Sequence, residues 1–309
     1  MSASSLNRRI LTILLAISFV QHFDFSNAFA ESNDFDLLKQ QSTFILKDQN
    51  ADGIIEIMAF GDSITRGVGD FFEPGEFVPL IEEPPGTEAG YPLRIENWLG
   101  LPVSNRGRPG ERVHVTGVTR FASNIRNSQS DYVVISGGAN DAFSLYGDTF
   151  LARDIQSMIN MARAMDREPI LMTIPPACCG RAGLKPSITN YNVRYRDLAA
   201  VNRIPLVDVE RGFNFLCPGN RCYLFNLPEG LHPNKTGYDV FGELFSALFN
   251  GIDLFAPGGS ALLAQILGRP ESELLIKSPV ATPVNGSERK SYFEESMYDP
   301  LDYLNVLDD

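Results

Sequence analysis

The feature that most constrains the fold is an alternation of apolar, strand-length runs with segments of helical periodicity. The predicted strands are Ile54–Phe60, Leu101–Ser104, Asp131–Ser136, Pro169–Ile174 and Pro205–Val209. The predicted helices are Tyr91–Leu99, Val115–Ile125, Thr149–Met165, Ser187–Asn202 and Asn234–Phe249. Strand and helix alternate five times, which is typical of a parallel sheet with helices on both faces. The sequence therefore predicts an α/β domain over residues 52–250.

The first thirty residues have the pattern of a secretory signal peptide. Arg8 and Arg9 precede an apolar run from Ile10 to Val20, and Ala28-Phe29-Ala30 resembles a cleavage site. The apolar run is too short to span a bilayer. The alternative interpretation is that the segment is not cleaved and serves as a membrane anchor. We therefore expect a protein that is secreted or periplasmic, with no stable membrane anchor after cleavage.

The remaining segments flank the predicted domain. Residues 31–51 are polar and aperiodic and read as an N-terminal linker. Residues 251–309 lose the strand–helix pattern, and from Glu271 onward Pro, Ser and Glu are frequent, so we expect a partly disordered C-terminal extension. The net charge of −12 argues against nucleic acid and anionic membranes as partners, because both require basic patches.

Four cysteines follow the predicted signal peptide, namely Cys178, Cys179, Cys217 and Cys222. An exported chain meets an oxidising compartment, so disulfides are expected, and three pairings are possible. Cys217 and Cys222 span a tight turn and could close locally. A zinc site is the rival interpretation, but the adjacent pair Cys178-Cys179 lacks the usual two-residue spacer between zinc ligands.

A serine follows the first predicted strand in the stretch Gly61-Asp62-Ser63-Ile64-Thr65. In an open α/β sheet, ligands bind at the carboxyl ends of the strands, so Ser63 is a candidate nucleophile. The same three residues, Gly-Asp-Ser, also occur in ordinary turns. Removal of the signal peptide leaves two histidines as candidate bases. His232 lies in a loop just before the last helix, whereas His114 is interpreted as a surface or structural residue.

The loops after the first three strands carry donors for a developing oxyanion. The backbone N–H groups of Ser63 and Gly110 and the side-chain amide of Asn140 could converge there. Simple turn chemistry is the alternative for Gly110 and for Asn140. Walker, dinucleotide-binding and His-Glu-x-x-His motifs are absent, as is the Gly-x-Ser-x-Gly elbow, so no cofactor is implied.

Four blocks together resemble the SGNH hydrolases, also called GDSL lipases and esterases. They are Gly-Asp-Ser-Ile-Thr at 61–65, Asn105 through Gly110, Gly138-Ala139-Asn140-Asp141, and Glu229-x-x-His232-Pro233, in the order of the family. The resemblance implies a flavodoxin-like three-layer α/β/α sandwich with a mainly parallel five-stranded sheet. It also implies Ser63 as nucleophile, His232 as base, and an oxyanion hole formed by Ser63, Gly110 and Asn140.

One position departs from the family pattern. The family usually has Asp three residues before the histidine, and this chain has Glu229. Glutamate can orient an imidazole in a Ser-His-Asp/Glu site. The alternatives are a Ser-His dyad with a backbone carbonyl holding the ring, or Asp208 as the acid.

These residues predict an ester hydrolase that acts through an acyl-enzyme on a short-chain acyl or acetyl ester of a carbohydrate or lipid. An acyl or acetyl transferase on the same site and a non-catalytic binding module on the same fold are the alternatives. The loop from Phe71 to Gly90 is acidic and contains aromatic residues, and it is expected to lie beside Ser63. The sequence does not indicate an oligomeric state.

Overall fold

The structure is a computed structural model that describes residues 46–78, 89–218 and 221–251. The predicted signal peptide, most of the predicted linker and the predicted C-terminal extension lie outside the described residues. So do residues 79–88 of the loop that precedes the first long helix.

Strands and helices alternate along the described chain. The strands are β1 (Ile57–Gly61), β2 (Val103–Gly107), β3 (Tyr132–Ile135), β4 (Glu168–Met172) and β5 (Leu206–Val207). The helices are α1 (Ser63–Arg66), α2 (Gly90–Leu99), α3 (Val118–Arg126), α4 (Ala139–Phe143), α5 (Asp148–Ala164), α6 (Lys185–Asn202), α7 (Val209–Leu216) and α8 (Lys235–Phe249). A π-helical turn (Val113–Gly117) precedes α3, and a 3₁₀ helix (Cys179–Leu184) precedes α6.

The five strands form one parallel sheet in the order β2-β1-β3-β4-β5. This is the flavodoxin-like strand order of doubly wound α/β folds. Gly61 is in register with Gly107, and Phe60 is in register with Ile135. The carboxyl ends of β1, β2 and β3 therefore meet at one edge, and the loops that follow them are neighbours. The predicted α/β fold is confirmed.

Both faces of the sheet are covered by helices. Every residue of β1 and of β3 is buried, as in a parallel sheet with helices on each side. Helix α2 packs on α8, which also contacts α7, while α5 packs between α3 and α6. Aromatic rings fill the first of these layers, where Tyr91 stacks on Phe245. Tyr91 is fully buried and thus belongs to the core.

The structure differs from the predicted boundaries mainly at strand ends and in short elements. Ile54 is 56% exposed and lies outside β1, although it continues the apolar run. Strand β2 begins two residues later and ends three residues later than predicted, so its hydrogen-bonded ladder includes Asn105 and Arg106. Helices α1, α4 and α7 were not predicted, because four to eight residues give too little periodicity.

Two local contacts stabilise the segment that leads into α8. Cys217 and Cys222 form a disulfide. Asn234 is the N-cap of α8, where its side chain accepts a 3.0 Å hydrogen bond from the N–H of Gly237. Among the helices of the described residues, none has the length and apolar character needed to cross a membrane.

Candidate active site

Ser63 is the first residue of α1, immediately after the carboxyl end of β1. Asp62 is the N-cap, and its carboxylate accepts a 2.9 Å hydrogen bond from the N–H of Ile64. The helix ends after one turn at Gly67, whose φ of +89° is a left-handed conformation that favours glycine. The short helix fixes the Ser63 side chain at the sheet edge. The N–H groups of the first helical turn have no intrahelical acceptor, so that of Ser63 suits an oxyanion.

His232 lies within hydrogen-bond distance of the serine. Its Nε2 is 2.8 Å from Ser63 Oγ, and its side chain is 17% exposed. The two residues come from distant parts of the chain, and Asn226 holds the segments together. The buried amide of Asn226 donates to the carbonyl oxygens of Gly69 at 3.2 Å and Pro233 at 2.9 Å. The loop after α1 and the loop of His232 thus have a common anchor.

Glu229 lies on the other side of the imidazole ring. Its Oε2 accepts hydrogen bonds from the backbone N–H groups of Leu231 at 2.7 Å and His232 at 2.8 Å. Its Oε1 is 3.3 Å from His232 Nδ1. That contact is close enough for a hydrogen bond, but Nδ1 has no acceptor in a hydrogen-bonding direction among the described residues. The contact between Glu229 Oε1 and His232 Nδ1 is therefore a charge contact rather than an aligned hydrogen bond.

The carboxylate of Glu229 is stabilised in its ionised form. Burial alone would raise its pKa, but the charge of the His232 ring and the backbone N–H donors outweigh burial, so the pKa is lowered. Arg181 is a permanent cation near the same carboxylate, with its Nε 3.6 Å from Glu229 Oε1. The site therefore holds a carboxylate beside the ring on which positive charge would develop.

Gly110 and Asn140 lie at the same sheet edge. Gly110 follows β2 and has a left-handed φ of +74°. The side-chain amide of Asn140 donates a 3.1 Å hydrogen bond to the carbonyl oxygen of Glu111, the residue after Gly110. A side-chain amide has two N–H donors, so one is left for a substrate oxygen. The structure therefore brings the Asn140 side chain beside the loop of Gly110.

Arg120 fixes this loop to the sheet. Its guanidinium donates to both carboxylate oxygens of Glu111 and to the carbonyl oxygens of Arg106 at 2.9 Å and Gly61 at 3.1 Å. It also lies over the ring of Phe60, with 4.0 Å between the guanidinium carbon and the ring centroid. One side chain thus connects the ends of β1 and β2 to the segment that contains Gly110.

Asp62 is a buried acid beside the serine. Burial raises its pKa from 3.8 to about 6, against the opposing effects of the N–H of Ile64 and the charge of His232. One of its oxygens, Oδ2, is buried and has no hydrogen-bond partner among the described residues. The position is therefore costly for a charged group, and it is a feature that the sequence did not reveal.

The remaining candidates lie elsewhere. Asp208, the alternative acid, is bound by Arg196 at 2.7 Å and caps α7, where it accepts from the N–H of Arg211. His114 lies near Asp154, with Nδ1 3.3 Å from Oδ2, and stacks on Tyr146. Both have structural roles, and neither makes a contact with Ser63 or His232 in the described residues.

Sequence reasoning missed the residues that position the site. Asn226 and Arg181 make their decisive contacts with segments far away in sequence, 157 residues in the case of Asn226 and Gly69. Arg120 joins the nearby Glu111 to Gly61, which lies 59 residues earlier. A single polar residue carries no signal of such a partner. The one available sign for Asn226 was its place, only a few residues before the Glu229-x-x-His232 block.

Comparison with known proteins identifies the family. Residues 59–240 match the model of the GDSL-like lipase/acylhydrolase family, which is more than half of the chain. The chain belongs to the GDSL-like lipase/acylhydrolase family. The predicted resemblance is thereby confirmed, and family membership makes the protein a carboxylic ester hydrolase. No curated protein sequence matches the chain.

Solved structures share the fold at low sequence identity. A lipase/acylhydrolase from Enterococcus faecalis is 23% identical with a TM-score of 0.51, covering 64% of this chain and 96% of that one. The aryl esterase of M. smegmatis is 15% identical with a TM-score of 0.51, covering 62% and 96%. A catalytic mutant of an acetylxylan esterase from Geobacillus stearothermophilus is 19% identical with a TM-score of 0.50, covering 64% and 96%. These identities support the fold alone.

Proposed function

We propose that the protein hydrolyses esters through a covalent acyl-enzyme formed on Ser63. The observation that carries the proposal is the chain of contacts from Ser63 Oγ to His232 Nε2 at 2.8 Å and from His232 Nδ1 to Glu229 Oε1 at 3.3 Å. Nucleophile, base and charge partner lie in the order that serine acylation requires.

In the first half-reaction Ser63 Oγ attacks the ester carbonyl carbon while His232 Nε2 accepts the hydroxyl proton. Glu229 stabilises the resulting imidazolium. The negative charge on the carbonyl oxygen would be stabilised by the N–H groups of Ser63 and Gly110 and by the free amide donor of Asn140. His232 then donates its proton to the departing alcohol, which leaves Ser63 acylated.

In the second half-reaction water takes the place of the alcohol. His232 Nε2 accepts a proton from the water as its oxygen attacks the acyl carbon, and the same donors stabilise the second oxyanion. Collapse of this intermediate breaks the bond to Ser63 Oγ, and the proton returns from His232 to the serine. The carboxylic acid product leaves, and the enzyme regains its starting state.

For the substrate, we propose a short-chain acyl or acetyl ester of a carbohydrate or lipid. Large apolar side chains are exposed on the segment that follows Asn140, where Phe143 is 45% and Leu145 is 83% exposed. These exposed apolar side chains suit contact with an acyl chain or with the apolar face of a sugar ring. One structural neighbour is an acetylxylan esterase, which is consistent with an acetyl ester as the substrate. The signal-like N-terminus supports export, so we propose an extracellular or periplasmic substrate.

The test is hydrolysis of p-nitrophenyl esters of increasing chain length, with acetylated xylan alongside. Ser63→Ala is expected to lower kcat by about 10³-fold or more. Ser123→Ala is the matched control, because Ser123 is an exposed serine on α3, away from the segment of Phe143 and Leu145. Equal rates for wild type and Ser63→Ala would contradict the assignment. A preference for long-chain esters would contradict the proposed substrate class but not the mechanism.

A further inference from the structure

Two adjacent cysteines lie on the segment between β4 and α6. Cys178 is buried, Cys179 is half-buried, and neither takes part in the Cys217–Cys222 disulfide. Their Sγ atoms are 2.6 Å apart. Non-bonded carbon atoms stay about 3.5–4.0 Å apart, and sulfur is larger. The two sulfurs are thus closer than two unbonded thiols would remain.

The backbone explains why the two side chains converge. In an extended chain, successive side chains point in opposite directions. Cys179 instead has a φ of +53°, a left-handed conformation that is uncommon for residues other than glycine. Cys179 is also the first residue of the 3₁₀ helix Cys179–Leu184. The left-handed conformation of Cys179 therefore turns its side chain toward that of Cys178.

We propose that Cys178 and Cys179 form a vicinal disulfide, and that this bond braces the loop that contains Glu229 and His232. The second part rests on the catalytic roles proposed above, whereas the first part does not. Adjacent Cα atoms are about 3.8 Å apart, which is below the usual range for disulfides of about 4.4–6.8 Å. A vicinal disulfide is therefore strained and more easily reduced than an ordinary one.

The bond forms by exchange with a disulfide-bonded oxidant such as oxidised glutathione. The Cys179 thiolate attacks one sulfur of the oxidant, breaks its S–S bond and releases one thiol. Cys178 then loses its proton and attacks Cys179 Sγ, which releases the second thiol. Two protein thiols are oxidised and one disulfide is reduced to two thiols.

The surroundings favour Cys179 as the attacking thiolate. A hydrogen bond from the Cys178 thiol lowers the pKa of Cys179, and the N–H of Cys222 and the charge of Arg221 act in the same direction. The same hydrogen bond, together with burial, raises the pKa of Cys178. The more exposed thiol is therefore the one that ionises more readily, and the buried thiol is the one that resolves the mixed disulfide.

The pair packs directly against the loop of Glu229. The N–H of Cys178 donates a 2.8 Å hydrogen bond to the carbonyl oxygen of Gly230, and the N–H of Gly180 donates a 2.9 Å bond to that of Pro228. The approach is so close that a Cβ added at Gly230 would lie 2.3 Å from the carbonyl oxygen of Cys178. The hydrogen bonds from Cys178 and from Gly180, the residue after the pair, thus hold the loop on both sides of Glu229.

Tryptic mapping tests the bond itself, because the pair falls in one peptide. Cleavage after arginine and lysine places both cysteines in 168–181, while Cys217 and Cys222 fall in 212–221 and 222–235. The full chain is equilibrated with oxidised glutathione and denatured in iodoacetamide without reductant. We expect 168–181 to be unalkylated and lighter by two hydrogen atoms, with the other two peptides linked. Two carbamidomethyl groups, a glutathione adduct, or a link to either other peptide would overturn the proposal.

Activity tests the brace. On treatment with a phosphine reductant, kcat of the wild type is expected to fall about fivefold or more, with little change in KM. The control is the double variant Cys178→Ser/Cys179→Ser, in which only Cys217–Cys222 can be reduced, and its kcat should not respond. An equal response of both proteins would overturn the brace. If the variant does not fold, the reduced wild type is re-oxidised with glutathione instead. Its kcat must then recover in step with the loss of alkylation in peptide 168–181. A failure to recover would also overturn the brace.

Discussion

Replacing Glu229 by Gln isolates the charge of the carboxylate from its position. The Gln side chain has the same length, and its carbonyl oxygen can still accept from the N–H groups of Leu231 and His232, as Oε2 of Glu229 does. The loop is therefore expected to keep its conformation. What changes is the charge 3.3 Å from Nδ1 of His232.

The size of the effect follows from that distance. Two unit charges 3.3 Å apart attract with about 5 kcal/mol at an effective dielectric constant of about 20. Each ~1.4 kcal/mol corresponds to a factor of ten in rate, so the upper limit is a loss of about 10³- to 10⁴-fold. Arg181 lies 3.6 Å from the same oxygen and repels the imidazolium, which reduces the net benefit of the pair. We expect Glu229→Gln to lower kcat/KM about 10²- to 10³-fold.

The assay is kcat/KM for p-nitrophenyl acetate near neutral pH, with urea unfolding as a check on the fold. Asp208→Asn is the matched control, since Asp208 is the other acid that the sequence made a candidate. It binds Arg196 and caps α7, so it should affect stability rather than rate. A Glu229→Gln variant within about threefold of wild type would refute the triad and favour a Ser63-His232 dyad.

The pH dependence of stability gives a second readout of the same charge. The pKa of Glu229 is lowered in the folded state, so its ionised form contributes stability above its unfolded value, and this contribution is lost as pH falls through the folded pKa. The difference in unfolding free energy between wild type and Glu229→Gln should therefore shrink below a pH of about 4.5. A difference that stays constant from pH 7 to pH 3 would contradict the assignment of this shift.

Three further predictions concern residues around the site. The Asp62→Asn variant should become more stable relative to wild type as pH rises from about 4 to about 6, by at most ~3 kcal/mol. The reason is that folded wild type keeps the Asp62 proton up to a pKa of about 6, whereas the unfolded chain loses it near 4. Urea unfolding at several pH values measures this difference. The Asn226→Ala variant should lose about 1–3 kcal/mol of unfolding free energy, because buried carbonyl oxygens lose their donor. Its kcat should also fall, because the loop of His232 is released. Urea denaturation tests the first effect and ester hydrolysis tests the second. Gly230→Ala should destabilise by at least about 1–2 kcal/mol, because its φ is +82° and the new Cβ would meet the carbonyl oxygen of Cys178; a thermal midpoint equal to wild type would contradict this.

The sheet and the proximity of the site residues that follow its strands were predictable from the sequence for physical reasons. A strand buried on both faces must be apolar along its whole length, as β1 and β3 are, and such runs are visible without a structure. Once the strands are parallel, their carboxyl ends lie together. Ser63, Gly110 and Asn140 follow β1, β2 and β3, so their proximity was a consequence of topology.

The supporting contacts were not predictable in the same way. Arg120 lies on α3, and its place on a helix does not reveal that its guanidinium would reach two strand ends and Glu111. Asn226 is polar and buried, and its partners depend on how two loops approach each other in three dimensions. Patterns of period two or 3.6 report which face of an element is buried. They carry no information on the direction of a single polar side chain between loops.

Glu229 shows how the longer side chain fits a place where the family usually has Asp. One carboxylate oxygen is held by the N–H groups of its own loop, two and three residues ahead, and the other faces the ring of His232. The acid is therefore positioned by the short segment that contains the base. That segment is in turn held from outside by Asn226 and by the turn of Cys178. Because the orientation of the acid depends on these two supports, perturbing either one should change kcat more than KM, although neither residue contacts Ser63 in the described residues.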